Sequence, residues 1–130
     1  MENIHVPVSP GEVLDKITIL EIKSERMNDP EKVANVRVEL ALLKETWDKA
    51  VNEDDVIRKL HDQLKEINEA LWEIEDDIRD KERVKEFDER FIELARAVYF
   101  TNDRRSQVKK DLNLHLGSEI IEEKSYQDYA

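Results

Sequence analysis

The chain has 130 residues, 41% of them charged, and a formal net charge of −11 at pH 7. This acidity argues against general nucleic-acid binding, because such proteins need a basic face that displaces counterions from phosphates. The absence of cysteine excludes disulfides and Cys-ligated zinc. No run of about 18 apolar residues is present, so we expect no membrane insertion. The start of the chain lacks the pattern of a secretory signal, and we therefore predict a cytoplasmic protein.

Glycine and proline are scarce, with two and three residues respectively, while Glu, Lys, Leu and Ile are abundant. These residues favour long helices, because their straight side chains lose little rotamer freedom there. We predict an all-α fold, an elongated antiparallel helical bundle that forms one domain over residues 1–130. The predicted parts are an extended lead-in at 1–8, helices at 10–27, 30–51, 54–85 and 88–116, and a tail at 117–130.

The first helix is predicted to begin at a capping box. Ser9 is placed to accept a hydrogen bond from the third helical amide, Glu12 reaches back, and Pro10 occupies the first helical position. The same kind of signal, Asp29 followed by Pro30, starts the second helix.

The second and third helices carry apolar residues that alternate at spacings of three and four. In the second helix these residues are Val33, Val36, Leu40, Leu43, Trp47 and Ala50. In the third they are Ile57, Leu60, Leu64, Ile67, Leu71, Ile74 and Ile78. This is a heptad pattern, and the short connection between the helices makes them antiparallel neighbours. We therefore predict a long coiled-coil-like hairpin, and a homodimer that covers its remaining apolar edge.

The fourth helix has an interrupted apolar face. Between Val98 and Val108 the inward positions fall among Thr101, Asn102 and Arg105, so about a turn and a half lacks aliphatic residues. An inward guanidinium needs a carboxylate partner or an anionic ligand, because burying an unpaired charge is costly. The tail that follows contains isoleucine and tyrosine among charged residues, and it docks either on the bundle or on a partner subunit.

Several charged or aromatic residues border the apolar faces of the third and fourth helices. The candidate ligand-binding residues are Trp72, Glu75, Asp76, Arg79, Arg96, Tyr99, Asn102 and Arg105. Residues 53–89 hold 15 acidic and 7 basic side chains, whereas residues 96–110 hold 5 basic side chains and 1 acidic one. The basic segment is either the partner of the acidic helix or a pocket for an anion. Charges beside a heptad seam commonly form interhelical salt bridges, so both interpretations stay open.

Nearly the whole chain resembles a small family of uncharacterised helical proteins of about this length. The stretches that carry the resemblance are VPVSPGE (6–12), DKITILEIK (15–23), LWEIEDDIR (71–79), FIELARAVY (91–99), TNDRR (101–105) and EKSY (123–126). The resemblance implies a single-domain protein of bacteria or phages. It implies no activity and no catalytic residue.

Two enzyme families share single features with the chain. Glu73, Asp76, Asp77 and Asp80 lie along one helix, as in a magnesium-dependent helical nucleotide pyrophosphatase, but the Glu-x-x-Asp motif expected on the next helix is absent. The first helix, residues 14–26, resembles the opening helix of the helical chorismate mutases, although the remaining spacing does not follow that family. The histidines show no ligand spacing. We predict no metal site and no required cofactor, and magnesium enters only if the pyrophosphatase comparison holds.

Two function hypotheses follow. The first is a binding or interaction module with a charged inter-helix site for an anionic small molecule or a protein partner. The alternative is a small helical enzyme that acts on a phosphorylated or carboxylated metabolite, by magnesium-dependent nucleotide hydrolysis or a chorismate-mutase-like reaction. The enzyme would use the carboxylates of Glu75 and Asp76 together with the guanidinium groups of Arg79, Arg96 and Arg105.

Overall fold

A computed structural model describes residues 1–129 of the chain. It contains four helices and, within those residues, no strand: α1 (Pro10–Arg26), α2 (Pro30–Ala50), α3 (Asp55–Arg83) and α4 (Glu89–His115). The predicted all-α class is confirmed, and each helix lies within its predicted range. No helix among the described residues is long and apolar enough to cross a membrane.

Each helix begins at a side chain that satisfies the first free amides. At the start of α1, Ser9 Oγ accepts a hydrogen bond from the amide of Glu12 at 3.2 Å. This is one of the two hydrogen bonds of the predicted capping box. The other caps are Asp29, Asp54 and Asp88. Amides in the first turn have no partner within the helix, so these oxygens replace the hydrogen bonds that water would otherwise supply.

α1 is the central helix of the bundle. It packs against each of the other three helices, α3 packs most closely against α4, and α2 packs on α1. The predicted coiled-coil-like hairpin of α2 and α3 is not confirmed, because α2 and α3 have no close backbone packing with each other. α2 packs on α1 instead, and α3 packs on α1 and α4. A heptad pattern shows that a helix has an apolar stripe, but not which helix covers it.

The core lies where all four helices meet. Its buried members are Leu14, Ile17, Trp47, Ile57, Leu60, Leu64 and Leu112. Trp47 is 4% exposed, and its indole N–H donates to Glu53 Oε1 at 2.9 Å. A buried indole needs such an acceptor, so Trp47 is a core residue whose one polar atom has a hydrogen-bond partner.

The tail after α4 docks on the bundle of its own chain. Tyr129 donates from its hydroxyl to Asp103 Oδ2 at 2.6 Å, and Lys124 Nζ lies 3.2 Å from Asp103 Oδ1. These two hydrogen bonds hold the pKa of the Asp103 carboxyl below its usual range. The ring of Tyr129 also packs against the rings of Tyr99 and Phe100.

Candidate functional site

A cleft of about 530 Å³ opens between α1, α3 and α4. Its lining residues are Ile19, Ile22, Lys23, Asn68, Leu71, Trp72, Glu75, Asp76, Arg79, Asn102 and Arg105. Six of the eight residues proposed from the sequence are among them, namely Trp72, Glu75, Asp76, Arg79, Asn102 and Arg105. The polar interruption of α4 therefore faces a cavity, and α1 closes the side that the sequence left unassigned.

The other two candidates lie elsewhere. The guanidinium of Arg96 lies 5.5 Å from the centre of the Phe100 ring, and Tyr99 lines a second cavity beneath the tail. The buried side of α4 carries Leu94 and Thr101. Arg96 and Tyr99 each lie two residues from one of these positions, which is about 200° around a helix. Their place in the proposed site is therefore not supported by the geometry.

Three cations and two carboxylates line the cleft. Arg79 pairs with Glu75 one turn away on α3. Lys23, Asp76 and Arg105 make no ion pair within residues 1–129. The cleft thus has an excess of positive charge in a protein whose net charge is −11.

Arg105 is held by an amide rather than by a carboxylate. One guanidinium nitrogen lies 3.5 Å from Asn68 Oδ1, at the outer limit of a hydrogen bond. Asn68 is 5% exposed, and its Nδ2 donates to Asp15 Oδ1 at 2.9 Å and to Thr18 Oγ1 at 3.0 Å. These two bonds fix the side-chain amide, so that its oxygen points toward Arg105.

Behind Asn68 the network continues to a buried ion cluster. Asp15 is 5% exposed, and its Oδ2 lies 3.9 Å from Lys109 Nζ. Lys109 also contacts Glu12 at 2.8 Å and Glu122 of the tail at 3.3 Å. Burial alone would lower the pKa of Lys109, but the hydrogen bond to Glu12 and the attraction of the three carboxylates outweigh burial and raise it. Lys109 is therefore charged and fully partnered.

Sequence reasoning did not select Asp15, Asn68 or Lys109 as members of a site. Each directly follows an apolar residue that packs in the interior, namely Leu14, Ile67 or Val108. A charged or amide side chain at such a position on a helix commonly points to solvent. The one available signal was the basic segment 96–110, which contains Lys109. Which of its five cations turns inward depends on α1.

α1 and α4 approach each other closely at the end of the bundle that contains Lys109. The amide of Gly11 donates to Asn113 Oδ1 at 2.7 Å, and a Cβ at Gly11 would lie 2.7 Å from the backbone oxygen of Lys109. Only glycine permits this approach. It brings Glu12 and Asp15 within reach of Lys109, and so it closes the ion cluster.

A comparison with protein families bears on the whole of this arrangement. A family model with the description "Family of unknown function (DUF6165)" matches residues 4–129. The chain belongs to this family. The resemblance to an uncharacterised family is thereby confirmed, whereas an origin in bacteria or phages stays a prediction. No curated protein and no solved structure matches the chain.

A second polar cluster of this DUF6165 member lies between α1 and α3. His61 Nε2 lies 2.8 Å from Glu21 Oε1, and His61 Nδ1 lies 3.0 Å from Asp62 Oδ1. The hydrogen bond to Glu21 is the main reason that the pKa of His61 is raised. Burial would raise the pKa of Glu21, but the hydrogen bond and charge of His61, with Lys44 and Lys65, outweigh burial and lower it.

The carboxylates of this DUF6165 member are spread over the described helices and tail. Within residues 1–129, no three His, Asp or Glu side chains are grouped so that they could hold a metal ion. The cleft instead offers two cations without ion-pair partners, an amide at Asn102 and an indole at Trp72. These groups are suited to an anionic group attached to an apolar or aromatic body.

Proposed function

We propose that this protein is a binding module whose α1–α3–α4 cleft holds an anionic group of a small molecule or of a protein partner. The observation that carries the proposal is the environment of Arg105. Its side chain is half-buried at the cleft wall, and its nearest polar contact is the neutral oxygen of Asn68 at 3.5 Å. A phosphate or carboxylate in the cleft would supply the charged acceptor that Arg105 lacks among residues 1–129.

The other groups of the cleft support the same ligand chemistry. A guanidinium binds a phosphate or carboxylate through two parallel N–H donors, and Lys23 adds a second positive charge from α1. Trp72 lines the cleft on α3 and offers a flat apolar surface. Glu75 is already paired with Arg79, and the remaining carboxylate, Asp76, offsets only one of the two charges of Lys23 and Arg105, so the cleft keeps a net positive charge.

The proposal is tested by thermal melting with inorganic pyrophosphate and with malonate, against sodium chloride at equal ionic strength. We expect either anion to raise the melting temperature, because a ligand that binds only the folded state stabilises it. Arg105→Leu is expected to remove this shift. Arg104→Leu is the matched control, because Arg104 is exposed and does not line the cleft. A shift that survives in the Arg105 variant, or no shift with either anion, contradicts the proposal.

The alternative is an enzyme that acts on a phosphorylated or carboxylated metabolite. One observation favours it: the carboxylates of Glu75 and Asp76 line the same cleft as Arg105. Glu75→Gln and Asp76→Asn would then abolish turnover while the anion-dependent thermal shift remained. Binding without turnover of a bound metabolite supports the module instead. The geometry supplies no set of three carboxylates for the magnesium-dependent version of this alternative among the described residues.

Three further statements belong to the proposal. We propose that residues 1–130 form one domain, that the protein is cytoplasmic and that it forms a homodimer. The first is supported by the central position of α1, which packs on every other helix. The dimer is supported by an apolar face of α2 that no other described helix covers.

A further inference from the structure

α2 covers α1 with one face and leaves the opposite face open. Val36 and Trp47 are the buried residues of α2, and they lie on the α1 side. The opposite face, here called the outer face, consists of exposed residues at helical spacing: Glu31, Ala34, Val38, Ala41, Leu42, Glu45 and Lys49. Val38 is 63% exposed and Leu42 is 47% exposed. The centre of the outer face is therefore apolar and uncovered.

The charge of α2 differs from that of the whole protein. α2 carries four acidic and four basic side chains, whereas the chain has a net charge of −11. Two copies that approach each other generally repel, because like net charges oppose association. Contact through α2 brings together two neutral helices and keeps the acidic segments apart.

Four of the seven residues of the outer face are arranged symmetrically about one point. Val38 and Leu42 are equally far in sequence from Leu40, and so are Glu31 and Lys49. Two α2 helices can pair in antiparallel orientation with the two-fold axis at the level of Leu40. Val38 then faces Leu42 of the second copy, and Glu31 faces Lys49 of the second copy. Each contact occurs twice, as a two-fold interface requires. A parallel pair would place Glu31 on Glu31 and Lys49 on Lys49, which is unfavourable.

We infer that the outer face of α2 binds the outer face of α2 in a second copy, in antiparallel orientation, with Val38 and Leu42 at the centre and Glu31–Lys49 pairs at both ends. This interface shares no residue with the cleft. It therefore does not depend on the proposed function of the cleft.

Light scattering and analytical ultracentrifugation of the full chain test the inference at micromolar concentrations. We expect a dimer, and we expect Val38→Glu to weaken it at least about tenfold, because a central apolar contact becomes a buried charge. Val84→Glu is the matched control, since Val84 is a valine of similar exposure, 56%, in the turn after α3. Val38 is exposed on a helix and glutamate is a good helix former, so circular dichroism and melting should show an unchanged fold.

Charge reversal tests the antiparallel register separately. Glu31→Lys and Lys49→Glu each place like charges opposite one another twice, and each should weaken the dimer by a few-fold. The double variant restores opposite charges and should recover the wild-type dissociation constant. A wild-type monomer at these concentrations overturns the inference, as does a dimer that Val38→Glu leaves intact or that Val84→Glu disrupts. A double variant weaker than both single variants overturns the antiparallel orientation.

Discussion

Two cations on the same side of α4 have opposite surroundings. Lys109 lies among the carboxylates of Glu12, Asp15 and Glu122, and its side chain is 12% exposed. Arg105, four residues earlier, makes its one side-chain hydrogen bond within residues 1–129 to the amide oxygen of Asn68, and it lines an open cleft. The difference arises from α1. At Gly11 the backbone of α1 touches α4, whereas at Lys23 the two helices are separated by the cleft.

This comparison separates a structural ion cluster from a candidate binding site. A half-buried cation whose carboxylate partners come from its own chain contributes to holding helices together. A half-buried cation without them is costly unless a ligand supplies the charge. Substitutions in the two regions are expected to differ in the sign and size of their effect on stability.

The largest effect is expected for Lys109→Met. The substitution leaves Asp15 buried without its cation, and we expect the free energy of unfolding to fall by about 3 kcal/mol. Lys110→Met is the control, because Lys110 makes no ion pair within residues 1–129 and should change stability by less than about 0.5 kcal/mol. Urea unfolding followed by circular dichroism measures both values. Equal losses in the two variants would show that the ion cluster does not stabilise the fold.

Gly11→Ala is expected to destabilise the protein by about 2 kcal/mol, because its Cβ would lie 2.7 Å from the backbone oxygen of Lys109. The sign is informative, since an alanine for a glycine in a helix otherwise adds about 1 kcal/mol. Thermal melting measures the change. A stabilised variant would mean that α1 and α4 are farther apart than the structure shows.

Arg105→Leu is expected to change the free energy of unfolding by less than about 1 kcal/mol, in either direction, because no carboxylate loses its partner. The same urea experiment compares this variant with Lys109→Met. A loss as large as that of the Lys109 variant would place Arg105 in the structural network and remove the main support for the anion site.

The smallest effect concerns pH. The pKa of His61 is raised in the folded protein, so its ion pair with Glu21 stabilises the fold. This stabilisation is fully present when the pH is below the ordinary histidine pKa of about 6.5. It is lost as the pH rises through the pKa of His61 in the folded state. Because the pair is half-buried, we expect less than about 1 kcal/mol. The melting temperatures of the wild type and of His61→Gln, measured from pH 6 upward, should converge as the pH rises. Parallel curves would contradict this assignment.

Part of the candidate site was predictable from single-helix patterns. Asn102 and Arg105 interrupt an apolar face, and a polar group at an inward position is visible from periodicity alone. Trp72, Glu75 and Arg79 line the same cleft, and the sequence could place them together because one helix face fixes their relation. Arg96 and Tyr99 do not line this cleft, because the inward side of α4 could not be located from the sequence to within one residue. Lys23 and Asn68 were missed, since their role depends on a neighbouring helix.

The sequence by itself determined the four helices, their caps and the apolar stripe of each, because caps and periodicity are local properties of a few adjacent residues. Only the tertiary structure decided which stripes meet. The same heptad spacing in α2 is compatible with packing on α3 or on α1, because the choice of partner depends on contacts between residues far apart in sequence. In the structure α2 packs on α1, and α1 meets α4 at Gly11. The carboxylates of α1 thereby reach Lys109 and leave Arg105 facing the cleft.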